Sequence, residues 1–165
     1  MLVEFANIAP EASIWIYQAN RPFNNDEQRV IAGETSKFLE QWAAHGAQLK
    51  TAFDIRFNQF LILAIDEQFN HSSGCSIDGS VHFIQQLGRH LNIDFFNRTL
   101  IAFYDRGSVK MESLSEIKLK LENGQLNERS LTFNHLIAKV RDLDDKWMVP
   151  LTESWLKKYM RNPVE

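Results

Sequence analysis

Phe53-Asp54-Ile55-Arg56-Phe57-Asn58-Gln59-Phe60-Leu61-Ile62-Leu63-Ala64-Ile65 is the stretch that decides the fold. Phe53, Ile55 and Phe57 alternate with Asp54 and Arg56, the period of a strand with one buried and one wet face. After Asn58-Gln59, residues 60–65 are apolar on both faces, as a central strand must be. The two read as a hairpin, although Asn-Gln is a weaker tight turn than Asn-Gly.

Upstream, residues 13–18 are β-branched and aromatic, bounded by Pro10 and by Asn20-Arg21-Pro22, and read as a strand. Asn25-Asp26-Glu27-Gln28 has the form of a capping box, and Ile31, Phe38 and Trp42 follow on one helical stripe with Val30 and Leu39. Gly46 supplies a left-handed cap after His45. Downstream, a polar loop over residues 66–77 leads to a second helix, capped by Ser76 or Asp78 and carrying Val81, Ile84, Leu87 and Leu91. Residues 99–104 form an aromatic strand, and Asp105-Arg106-Gly107-Ser108 turns the chain into a short strand at 109–112.

Strand, helix, strand, strand, helix, strand is the order of the ferredoxin-like split βαβ unit. The expectation is an α+β single domain over residues 1–165. Its ferredoxin-like core, residues 13–104, is an antiparallel sheet with two helices on one face. There the third strand lies between the first and second, and the fourth takes the edge beside the first. Residues 105–165 form a mixed extension packed on that core. In it Ser113-Leu114-Ser115-Glu116 opens a short helix that closes near Gly124. Residues 131–133 are a strand or the start of a helix through Val140, and Pro150 opens a last helix carrying Leu151, Trp155 and Tyr159.

Composition narrows the function classes. The first 80 residues hold five Lys/Arg and ten Asp/Glu, and the rest hold thirteen and eleven. Neither half is basic, which argues against nucleic acid, whose phosphates require clustered cations. The longest apolar run, residues 60–65, falls far short of the roughly 20 residues of a membrane helix. Cys75 is the single cysteine, so no internal disulfide forms; Met1 to Ala6 lack a basic, apolar leader pattern, and the expected location is the cytoplasm.

Two segments imitate an ABC-type ATPase. Ile62-Leu63-Ala64-Ile65-Asp66-Glu67 has the form of a Walker B strand, and Leu121-Glu122-Asn123-Gly124-Gln125 echoes a signature loop. No glycine of the seven is followed by lysine, so the phosphate-cradling Gly-Lys-Ser/Thr loop is missing, and the two segments stand in the reverse of that family's order. Trp15-Ile16-Tyr17-Gln18 with Asn20-Arg21, Trp42 with His45-Gly46, and Ser73-Gly74-Cys75-Ser76-Ile77-Asp78 resemble a family of small uncharacterised bacterial proteins sometimes labelled "ABC transporter ATPase". The resemblance is clearest over residues 10–104. It implies no settled activity and carries over no catalytic residue.

The expected topology brings the first helix's end to the same sheet edge as the third strand's end. His45 then approaches the loop of Asp66, Glu67, His71, Cys75, Ser76 and Asp78, with the Asp105-Arg106 turn beside them. Cys75, preceding a helix N-terminus, is a candidate nucleophile with His45 or His71 as base. The same His and Cys residues with Glu67 are donors suited to zinc, but no fixed ligand spacing supports a metal site, and no cofactor is expected. At the opposite edge Arg21 and Arg98 are candidates to grip a carboxylate or phosphate, or each pairs with a nearby acid. The expected function is a cytosolic module, without catalysis of its own, that binds a small molecule or a protein. A homodimer is the expected assembly, with no nucleic acid and no membrane as partner. The alternative is a small thiol-dependent enzyme using Cys75.

Overall fold

The computed structural model describes residues 1–43, 49–66 and 74–160. It is α+β, with two antiparallel sheets and three α-helices among these residues. The chain divides into two compact units, Met1–Asn97 with Ala138–Arg141, and Arg98–Ile137 with Asp142–Glu165. The first passage from one unit to the other, between Asn97 and Arg98, comes before the fourth strand.

The first unit contains β1 (Ser13–Gln18), α1 (Asn25–Ala43), β2 (Lys50–Arg56), β3 (Phe60–Asp66) and α2 (Gly74–Leu91). The sheet order is β1-β3-β2, with β3 antiparallel to both neighbours and buried along its whole length, as its two-faced apolar run requires. In this register Trp15, Tyr17, Leu61, Leu63, Phe53 and Ile55 share one face, and they pack with Ile31 and Leu39 of α1 and Ile84 and Leu87 of α2. The helical stripes read from the sequence are thus the stripes that bury.

Two local readings shift by a residue. The cap of α1 is Asn24: its Oδ1 accepts from Glu27 N–H at 2.8 Å, and its own N–H donates to Glu27 Oε1 at 3.0 Å. The hairpin turns at Phe57-Asn58, both left-handed (φ 55° and 52°), and Gln59 N–H donates to Arg56 O at 3.1 Å. Gln59, the last residue of the turn, is buried because its side-chain amide and backbone carbonyl both bond Ala19, at 2.7 and 2.9 Å.

The fourth strand, β4 (Leu100–Asp105), does not lie beside β1. That edge is taken by residues 138–141: Ile14 N–H donates to Ala138 O at 3.0 Å, and Val140 N–H donates to Ala12 O at 3.1 Å. β4 instead pairs with its hairpin partner β5 (Ser108–Ser113), across a turn with Arg106 and Gly107 left-handed. Closing so short a loop costs little entropy, so the local pairing wins.

The end of α2 is set by Asn92, left-handed at φ 55°. Ile93 N–H donates to Gly88 O at 2.9 Å and Asn92 N–H to Arg89 O at 3.5 Å, the two bonds of a Schellman cap. On α1, the buried Thr35 hydroxyl has no hydrogen-bond partner among the described residues. A buried hydroxyl left unpaired is a net cost. Thr35→Val, which keeps shape and removes the hydroxyl, should raise stability by about 1 kcal/mol, read as a higher urea midpoint at constant slope.

The second unit has sheet order β5-β4-β6-β7, with β6 (Leu131–Phe133) and β7 (Met148–Pro150). The strand alternative for residues 131–133 is the one observed. α3 (Leu114–Glu122) starts as read, with Ser113 Oγ accepting from Glu116 N–H at 3.3 Å, and Ile117 fully buried. The expected last helix is instead two 3-10 turns, Leu151–Glu153 and Trp155–Tyr159. Ser154 separates them by adopting an extended backbone and accepting from Leu156 N–H. Trp147, buried, donates its indole N–H to His135 Nδ1 at 3.1 Å. Among the described residues, no helix is long and apolar enough to cross a membrane.

Candidate binding site

His45, Glu67 and His71 lie outside the described residues. Asp66 ends β3, buried and opposite Lys50 at the start of β2. The start of β2 and the end of β3 therefore share an edge. α2 starts at Gly74, ahead of Ser76 and Asp78, so neither caps it, and Cys75 stands within its first turn rather than before it. The Asp105-Arg106 turn belongs to the second sheet, because β4 leaves the first. Among the described residues no group of three or more His, Cys, Asp or Glu is arranged to hold a metal.

Arg21 takes the alternative reading and pairs with a nearby acid. Arg98 falls in the second unit. The Arg21 guanidinium makes a two-pronged pair with Glu27, at 2.9 and 2.7 Å, and donates to Leu91 O at 2.9 Å. It thus joins the end of β1 to the start of α1 and to the carbonyl end of α2, where a cation is favoured. Arg21 and the Asn24 N–H hold the Glu27 carboxyl well below the usual carboxylate range, at about 2.

A different arrangement presents itself at β2, the terminal strand of the first sheet. Among the described residues its outer main-chain groups are hydrogen-bonded at Thr51, whose N–H donates to Met1 O at 2.9 Å and whose carbonyl accepts from Val3 N–H at 2.8 Å, and the 3-10 turn Phe5–Asn7 packs farther along it without main-chain bonds to it. An antiparallel ladder turns alternate residues to alternate neighbours. Since Thr51 points outward, so do the N–H and C=O of Phe53 and Ile55. No strand among the described residues pairs with them. Along this edge runs a hollow of about 550 Å³ lined by Leu2, Val3, Glu4, Ser36, Phe53, Asp54 and Ile55.

No protein-family model, curated protein or solved structure matches this chain. The chemistry of the edge must be read from its own residues.

Asp54 and Arg56 share the face opposite Phe53 and Ile55. Their side chains pair at 2.8 Å, each about one-third exposed, and the Arg56 guanidinium lies 5.7 Å over the Phe5 ring. The edge therefore offers open backbone donors and acceptors, an apolar side, and one charge of each sign. The sequence reading identified the buried and wet faces of β2 but not this use of them. Its expected strand order already made β2 terminal, which was the available signal. A second hollow, about 350 Å³ in the second unit, has a floor of Leu121, Leu126, Tyr159 and Met160. Its rim carries Lys118, Glu122 and Glu128, charges of both signs that select no ligand class.

Proposed function

We propose that this chain is a protein-binding module that takes up an extended segment by strand addition along β2. The observation that carries the reading is the outward, unpaired edge of Phe53 and Ile55 above a lined groove. Open strand edges are liabilities that folded proteins usually cover or blunt, and main-chain bonding to an added strand is a common recognition mode. The same proposal takes the first unit as a ferredoxin-like sheet whose fourth-strand place is held by residues 138–141. It also keeps a cytoplasmic setting and the family resemblance, but not the ATPase label, since no Gly-Lys pair exists.

The test is a titration of isotope-labelled protein with a synthetic peptide of alternating valine and threonine. The Phe53 and Ile55 amide resonances should shift and their hydrogen exchange should slow. Ile55→Pro removes an outward N–H that β3 does not use, and prolines are tolerated on edge strands; this variant should keep its circular dichroism and lose the peptide. Peptide-induced shifts confined to other residues would overturn the reading.

A further inference from the structure

We infer that the strand added at β2 is the β2 of a second copy of this chain, laid antiparallel with Ile55 opposite its counterpart. The inference rests on the strand-addition reading and names its partner. Because Phe53 and Ile55 face outward, a two-fold pairing must set odd-numbered residues against odd-numbered ones. Three registers are available near the centre of the edge, and the residues choose between them. Phe53 opposite Phe53 would require Thr51 to pair as well, and its outward groups are already held by Met1 and Val3. Phe53 opposite Ile55 would set Asp54 against Asp54, a like-charge pair that destabilises a sheet. Ile55 opposite Ile55 sets Asp54 of each copy against Arg56 of the other, twice.

In this last register Ile55 exchanges main-chain hydrogen bonds with its counterpart. The Asp54 and Arg56 positions then form non-hydrogen-bonded pairs, where facing side chains approach most closely. Each Arg56 keeps its own Asp54 at 2.8 Å and gains the other copy's carboxylate, so the two-fold axis is ringed by alternating charge. In this register each hairpin tip, Phe57-Asn58, lies opposite Phe53 and Ala52 of the other copy, so the exchanged main-chain bonds centre on Ile55. On the helix flank beside the groove Ser36 is small, its hydroxyl turned back onto Ala32 O at 2.8 Å, and Leu2, Val3 and Glu4 line the groove's other side.

Sedimentation of the full chain over a micromolar concentration series should show a monomer–dimer equilibrium. Asp54→Arg and Arg56→Asp should each weaken it by at least about tenfold, because each sets like charges across the axis. An equimolar mixture of the two variants restores both opposite pairs and should recover the dimer. A wild-type chain that stays monomeric, or two variants whose mixture dimerises no better than either alone, would overturn the inference. Should a variant fail to fold, hydrogen exchange in the wild type decides: the Ile55 amide should slow as concentration rises, and a rate independent of concentration would overturn it. A monomer that still takes up the valine–threonine peptide removes the second copy and leaves strand addition in place; a monomer that takes up neither removes both.

Discussion

Gly88→Ala should lower the stability of the protein by about 2 kcal/mol and its Tm by roughly 4–8 °C. A Cβ at this position would stand 2.5 Å from the Ile93 carbonyl oxygen, well inside contact distance, with the Phe95 ring at 3.4 Å. The obstacle is backbone, so it cannot swing aside. The chain after α2 must move outward, taking buried Ile93 and Phe95 with it and straining the cap that Ile93 N–H makes on Gly88 O. Overpacking costs about 1–3 kcal/mol, a 2.5 Å clash with backbone lies at the upper end of that range, and alanine's better helix propensity returns at most about 1. Gly33→Ala is the paired control. Gly33 lies in the interior of α1 with open space around it, so only the propensity gain remains and stability should rise by about 0.5–1 kcal/mol. Calorimetry on the two variants should move Tm in opposite directions; a Gly88→Ala protein as stable as wild type would show that the chain beyond α2 yields freely.

Acidification from about pH 6.5 to about pH 4 should cost the protein about 2–3 kcal/mol at one residue, His135. Burial pushes the His135 imidazole down to about 4 from an ordinary value of 6.5. Between those values the unfolded chain binds a proton and the folded chain does not, so stability rises with pH across the window and falls as the solution is acidified. Below about pH 4 the folded form also takes the proton, and this contribution falls no further. The geometry agrees in direction: Nδ1 accepts the Trp147 indole N–H at 3.1 Å, and a proton on that nitrogen would set two donors against each other. His135→Gln keeps an acceptor for the indole and removes the titration. Urea midpoints measured from pH 7 to pH 4 should fall more steeply for wild type than for the variant; parallel curves would show that His135 titrates normally. Trp147 fluorescence reports the same event locally.

The two helices of the first unit were legible because each repeats its apolar residues at one period, and β3 because it is an unbroken apolar run after a turn. Ile31 and Leu39, Ile84 and Leu87, and residues 60–65 are buried where those patterns placed them, and Asp66, read as the start of a polar loop, is buried as well. The misread positions are those where neighbouring residues offer equivalent chemistry. Asn24 and Asn25 can each cap a helix, and what selects Asn24 is Glu27, itself held by Arg21 from the end of β1. Residues 100–105 have the pattern of a strand, but pattern does not say which sheet a strand joins; six registered pairs with β5 decide it. The open edge at β2 has a similar cause. Alternation revealed which faces of Phe53 to Arg56 are dry and wet, whereas the gap depends on Met1–Val3 pairing with Thr51 and going no further.

Residues 138–141 run beside β1, yet about forty residues of another unit precede them in the chain. During synthesis the first sheet therefore waits, with one border unguarded, until that whole intervening piece has emerged from the ribosome. A message truncated soon after residue 97 would release a polypeptide with nearly all of its interior and a raw margin on each side of the sheet. Such fragments should depend on chaperones far more than the finished chain does.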